Sequence, residues 1–219
     1  LFISKLLEEI AGRRNISIEK RQSIGKAGFR KLKTIEAGSR IDSSKYFALI
    51  VDCAGDTSVK SDIVEQYDGL VASGYHAIIG LRDVYPQYAR HEISKLRMGL
   101  AYRVKTVPIA PLFVLGVMEI EAWFLSEHTH YERLHPSLTV DRIKDELGID
   151  PRLGDIEQRE TPAKDLHAIY QLVGYAYRKD ARRVQRTLDK LNYECCYLEL
   201  PERIPDLKLL VREIERFLS

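Results

Sequence analysis

Long apolar stretches, cysteine and net charge are all scarce in this chain, and each scarcity removes a class of protein. No run of about 18 uninterrupted apolar residues occurs, so no transmembrane helix and no membrane partner are expected. The 219 residues hold three cysteines, and two of them, Cys195 and Cys196, are adjacent. A vicinal pair rarely bridges to itself and no spacing suits zinc, so a reducing, cytoplasmic setting is the simplest expectation. Formal net charge is +2 with 30% charged residues, which leaves no global field to attract nucleic acid. Any such signal has to be local. The Gly-x-Ser-x-Gly motif and the Gly-Lys-Ser/Thr ending of a P-loop are absent, and Cys53 has no histidine partner in sequence. Hydrolysis through a covalent enzyme intermediate is therefore disfavoured. His128, His130 and His135 cluster, but without a zinc spacing.

What the chain does carry is acids at the ends of apolar runs. Residues 46–51 read as a buried strand that stops at Asp52 and runs on through Cys53, Ala54 and Gly55 to Asp56. A second run, 76–81, closes on Arg82 and Asp83, and a third, 112–118, on Glu119 and Glu121. In open α/β sheets ligands sit outside the carboxyl ends of the strands, where acidic oxygens can hold a hard cation. A loop across Gly55 could turn Asp52 and Asp56 toward one point, with Asp83 arriving from the neighbouring strand. Carboxylates held so close repel unless a cation or a proton intervenes. Each acid also has an ordinary explanation: Asp56 as a helix cap, Asp83 as a turn former before Pro86, Glu119 and Glu121 as partners of a helix dipole. Trp123 and Phe124 read as core anchors.

The periodicities set the fold class. Helices are expected over 1–11, closed by Gly12, over 58–72, and from about 87 to 102, between strands at 15–20, 46–51, 78–81 and 112–118. Strands separated by helices predict βαβ units and an α/β, mostly parallel sheet flanked by helices. Past residue 127 the pattern becomes helical: a loop over 128–136, a helix over 140–147, and helices near 162–174, 178–192 and 205–218 around a short strand at 196–200. The division is thus 1–127 for the sheet-bearing core and 128–219 for a helical subdomain. The opening helix also implies a strand before residue 1.

Between residues 13 and 33 lie eight cations against one acid, Glu19. A helix opened by Gly25 and Gly28 and running to about 41 would set Lys26, Arg30 and Lys33 beside free backbone amides, an arrangement suited to a phosphate backbone. A solvated helix face explains many such runs equally well, including Arg178, Lys179, Arg182, Arg183 and Arg186.

The order of these features resembles the TOPRIM domain of topoisomerases, primases and OLD-type nucleases. It is closer still to a TOPRIM-like family encoded beside AAA-type ATPases in prokaryotic defence loci. The stretches that carry the resemblance are 2–10, the basic turn 25–33, the aspartate strand 48–56, the acid-aromatic segment 119–125, and Pro162 with Tyr177-Arg178-Lys179. It implies a TOPRIM/Rossmann-like core and a nuclease that cleaves DNA with Mg2+ or Mn2+. Asp52, Asp56 and Asp83 would hold the metal, Asp52, Asp83 and Glu121 would be catalytic, and Lys26, Arg30 and Lys33 would bind substrate. An AAA/ABC-type ATPase is the implied partner, and self-association is left open. Two positions depart from the family: its first glutamate would precede Leu1, and Ala54 replaces the second aspartate of its Asp-x-Asp pair. Ala54 and the low net charge favour an alternative, a non-catalytic TOPRIM-like module that regulates an ATPase or nucleic acid. A receiver-like domain with one phosphorylatable aspartate is a third reading.

Overall fold

A computed structural model describes residues 1–26, 28–38, 45–153 and 156–219. The first element, α1 (Phe2–Ala11), buries Phe2, Leu6, Leu7 and Ile10 along one stripe and ends at Gly12, whose φ of +56° suits glycine. Three strands follow: β1 (Ile16–Ile24), β2 (Lys31–Glu36) and β3 (Tyr46–Asp52). A 3-10 turn (Asp56–Ser58) leads into α2 (Val59–Ala72), then β4 (Ile79–Asp83), α3 (Ile93–Ala101) and β5 (Leu112–Gly116). The remainder is helical: α4 (Glu121–Ser126), α5 (His130–Leu134), α6 (Val140–Leu147), α7 (Pro162–Gln171), α8 (Ala181–Leu188), α9 (Tyr193–Leu198) and α10 (Pro205–Phe217).

The protein is mixed α/β, but the single mostly parallel sheet expected from the sequence is replaced by two small ones. One has the order β2-β1-β3, with β1 and β3 parallel and β2 antiparallel to β1; the other is the parallel pair β4-β5. On the outer side of β5 the Leu115 amide donates to Asp206 Oδ1 at 2.8 Å, so a side chain of α10 satisfies a group that a further strand would otherwise take.

Two elements differ in kind from their sequence reading. The helix expected over 25–41 is the β1-β2 hairpin, while its last residues, 39–41, lie outside the described residues. Gly25 and Gly28, at φ +103° and +82°, reverse the chain instead of opening a helix. A Cβ on Gly25 would come within 2.9 Å of the Phe29 carbonyl oxygen. The strand expected over 196–200 is α9, started by Asn192, whose side chain accepts from the Cys195 amide. The loop expected over 128–136 contains α5.

The largest apolar core draws on both sides of residue 127. Phe2, Leu6 and Ile10 of α1 pack with Trp123, Tyr131, Tyr170, Cys196, Leu207 and Val211. Smaller clusters lie under α2 (Val59, Ile63, Tyr67, Ile78) and under α3 (Val84, Leu96, Leu100, Leu115, Met118). Trp123 and Phe124 are buried, as expected of core anchors. No helix among the described residues is long and apolar enough to cross a membrane.

Candidate functional site

Because β4 and β5 run parallel, their carboxyl ends emerge at one edge, where Asp83 lies in register with Gly116. Glycine is needed there. A Cβ on residue 116 would run into Asp83 Oδ1 and come within 2.8 Å of the Ile120 amide nitrogen. With that space clear, Asp83 Oδ1 accepts from the Ile120 amide at 2.8 Å, which fixes the chain leaving β5. From the turn after β3, Asp56 Oδ1 accepts from the Asp83 amide at 2.8 Å. Three strand ends are thereby joined through two carboxylates.

Behind Asp83 stand two buried acids, Glu119 and Glu121. Glu119 Oε2 accepts from the Ala163 amide in the first turn of α7 at 3.0 Å, and Glu121 Oε1 accepts from the Tyr177 hydroxyl at 2.8 Å. The Lys179 ammonium closes the group, 2.9 Å from Glu119 Oε1, 3.2 Å from Glu121 Oε2 and 3.8 Å from Asp83 Oδ2. The contact with Glu121 Oε2 is ionic only, since that oxygen has no aligned hydrogen bond among the described residues. The lysine side chain is half exposed at the mouth of an open cleft of about 370 Å3, which Phe2, Ile120 and Phe124 also line.

This crowding sets the protonation states. Burial, reinforced by Glu121 and Asp56, raises the Asp83 carboxyl to about 7, against the opposing pull of Lys179 and the Ile120 amide. Burial alone would lower the Lys179 ammonium, but Glu121, Glu119 and Asp83 hold it above the ordinary lysine value. Burial and the neighbouring Glu121 carboxylate push the Tyr177 phenol up, so it stays a hydrogen-bond donor. A carboxyl that titrates near neutrality beside a fixed ammonium can exchange protons and meet an anion in one place.

Of the acids expected from the sequence, Asp83 and Glu121 come together and Asp56 reaches them through the Asp83 backbone. Asp52 does not join that bonded group. It is exposed at the end of β3, where Oδ1 accepts from the Ala54 amide at 2.8 Å and Oδ2 from Gln22 Nε2 at 3.4 Å. Lys26 and Lys33 are exposed on the β1-β2 hairpin, whereas the Arg30 guanidinium turns inward to Asp62, Ser58 and Ser61 at the start of α2. Tyr177 and Lys179 were not singled out as site residues. The sequence puts Lys179 in a basic run 58 residues after Glu121, within the Tyr177-Arg178-Lys179 stretch that carries part of the resemblance but is given no role by it. His130 is buried between Glu127 and Tyr170.

The acids suit Mg2+ or Mn2+ in kind. Asp83, Glu119 and Glu121 offer only oxygen, outnumber the single ammonium, and include the buried, unbonded Glu121 Oε2. In position they gather around Lys179 instead, and among the described residues no group of three or more His, Cys, Asp or Glu side chains is arranged to hold a metal ion. Fold and site together define a mixed α/β protein with an acid-and-lysine centre at the carboxyl edge of parallel strands. No protein-family model, curated protein or solved structure matches the chain.

Proposed function

We propose that the protein is a TOPRIM-like phosphodiester-cleaving enzyme acting on DNA, with its centre at Asp83, Glu119, Glu121 and Lys179. The observation that carries this reading is the meeting of acids from two adjacent strand ends around one ammonium in an open cleft. Lys179 is placed to take an anionic phosphate oxygen, and Glu119 and Glu121 hold it at the cleft mouth. Asp83, with its carboxyl near 7, is the group that exchanges a proton with water or with the leaving oxygen. Tyr177 keeps Glu121 in place by donating to it. Mg2+ or Mn2+ would reach the oxygens of Asp83, Glu119 and Glu121 only once Lys179 gives them up, and when bound it would polarise a phosphate and acidify water. Asp52, bonded to Ala54 and Gln22, lies outside this group. The ATPase partner and the defence setting rest on the sequence resemblance alone.

Two observations favour a second reading, a non-catalytic module of the same family: Lys179 already pairs with Glu119 and Glu121, and Ala54 stands where the family's Asp-x-Asp pair has its second aspartate. Nicking of supercoiled plasmid by full-length protein in Mg2+ or Mn2+ separates the two. The enzyme reading expects cleavage that falls about a hundredfold or more in Asp83→Asn and Lys179→Met. Absent cleavage, or cleavage unchanged in both variants, leaves the binding module.

A further inference from the structure

The β1-β2 hairpin is a feature that the acid-and-lysine centre does not use. Its register sets Gln22 opposite Lys33 and Ile24 opposite Lys31, so these four side chains share one face. Ile24, Lys31 and Lys33 are exposed there, and at the tip Lys26 is exposed and Phe29 is 85% exposed. The acids of the hairpin are already matched: Glu19 pairs with Arg21, and Glu36 with Lys20 at 2.9 Å. Lys26, Lys31 and Lys33 form no ion pair among the described residues. The tip is also held in place. Arg30 is anchored to Asp62, and the Gly28 amide donates to Glu65 Oε1 at 2.9 Å, so the residues on either side of Phe29 are fastened to α2.

Lysines on an edge strand ordinarily keep it from pairing with another chain, and that is enough to explain Lys31 and Lys33. It does not explain a phenylalanine presented to solvent on an anchored turn beside Lys26. Three unmatched cations and one exposed aromatic ring between two anchored residues are what a single nucleic-acid strand requires: charges for its backbone and a platform for an unstacked base. A duplex keeps its bases stacked and would leave Phe29 unused. The face also leads toward the strand ends, since Gln22 is in register with Asp52 and donates to it.

We propose that the β1-β2 hairpin is a grip for single-stranded nucleic acid, with Lys26, Lys31 and Lys33 on the phosphates and Phe29 stacked on a base. This rests on the phosphodiester reading only in naming the form of that substrate, and binding can be measured where nothing is cleaved. Fluorescence anisotropy of full-length protein with a labelled DNA strand, and with the duplex of the same sequence, in EDTA across a salt series supplies the test. The strand should bind more tightly than the duplex, with a log-log salt slope of about −2 from three lysines. Lys31→Ala and Lys33→Ala should each flatten that slope by about 0.7. Phe29→Ala should weaken binding about tenfold and leave the slope alone. Because binding is read in EDTA, where metal-dependent cleavage is silent, loss of cleavage and loss of grip remain separate results. Equal or tighter duplex binding, a slope unchanged by the lysine variants, an unaffected Phe29→Ala, or no nucleic-acid binding at all would each overturn the proposal, the last leaving the exposed face to a protein partner.

Discussion

One carboxylate at Asp83 serves two neighbours and carries a titration: it accepts from Ile120, faces Lys179, and holds a proton to about pH 7 because burial and Glu121 disfavour its charge. The unfolded chain releases that proton near the ordinary value of 3.8. The folded state therefore binds more protons between these limits, and the stability from this site is full below about 4 and lost as pH rises through about 7. Asp83→Asn keeps the acceptor and removes the titration. Its stability relative to the unmodified protein should climb across that window by at most about 4 kcal/mol, read from urea unfolding at several pH values. A flat difference would show that Asp83 titrates normally. Glu157, also raised to about 7 by burial and Asp206, contributes the same slope to both proteins and cancels. At Gly116 the constraint is steric. Gly116→Ala should cost about 1–3 kcal/mol, because its methyl must displace Asp83 from Ile120; an unchanged thermal midpoint would contradict that.

Among the elements, α10 is tied to the β4-β5 sheet by Asp206, which accepts from the Leu115 amide on β5 and pairs with Arg97 of α3 at 2.6 Å. Asp206→Ala strands a buried amide and a half-exposed guanidinium together, and should lower stability by about 2–4 kcal/mol in denaturant unfolding; a loss under half a kcal/mol would mean about as little as a surface pair contributes. Elements with unambiguous periods were legible in the sequence: α1, α2, α6 and α10 lie close to where their apolar spacing puts them. The failures have physical causes. Gly25 and Gly28 read as a helix start because a glycine pair among cations suits that role, yet the segment after them, Lys31-Leu32-Lys33-Thr34-Ile35-Glu36, alternates with the period of two that marks a strand. The short apolar run at Cys195 to Leu198 has no period of its own, and Asn192 as a cap was the overlooked signal. At the site, acids at strand ends were legible because strand and loop are contiguous in sequence. Lys179 was not, since folding alone brings it back from beyond α7.

Across the whole molecule, α1 and the helices after residue 127 share one core, and the single tryptophan, Trp123, is fully buried within it beside Phe2. Far-ultraviolet circular dichroism and Trp123 fluorescence should therefore report one coincident unfolding transition. Two separated midpoints would mean that the helical part melts independently of α1.

The claim that joins these scales is the proposed one, that Asp83, Glu119, Glu121 and Lys179 form one charged centre that takes a phosphate and, once Lys179 gives up its acids, a hard cation. Carbon-13 NMR titration of the Asp83 carboxyl, without and then with Mg2+, reaches it most directly. The account predicts a midpoint near 7 in the free protein, falling well below neutrality when Mg2+ is added, because a nearby cation favours the ionised form. A midpoint in the ordinary aspartate range, or one near 7 that Mg2+ leaves unmoved, would contradict it.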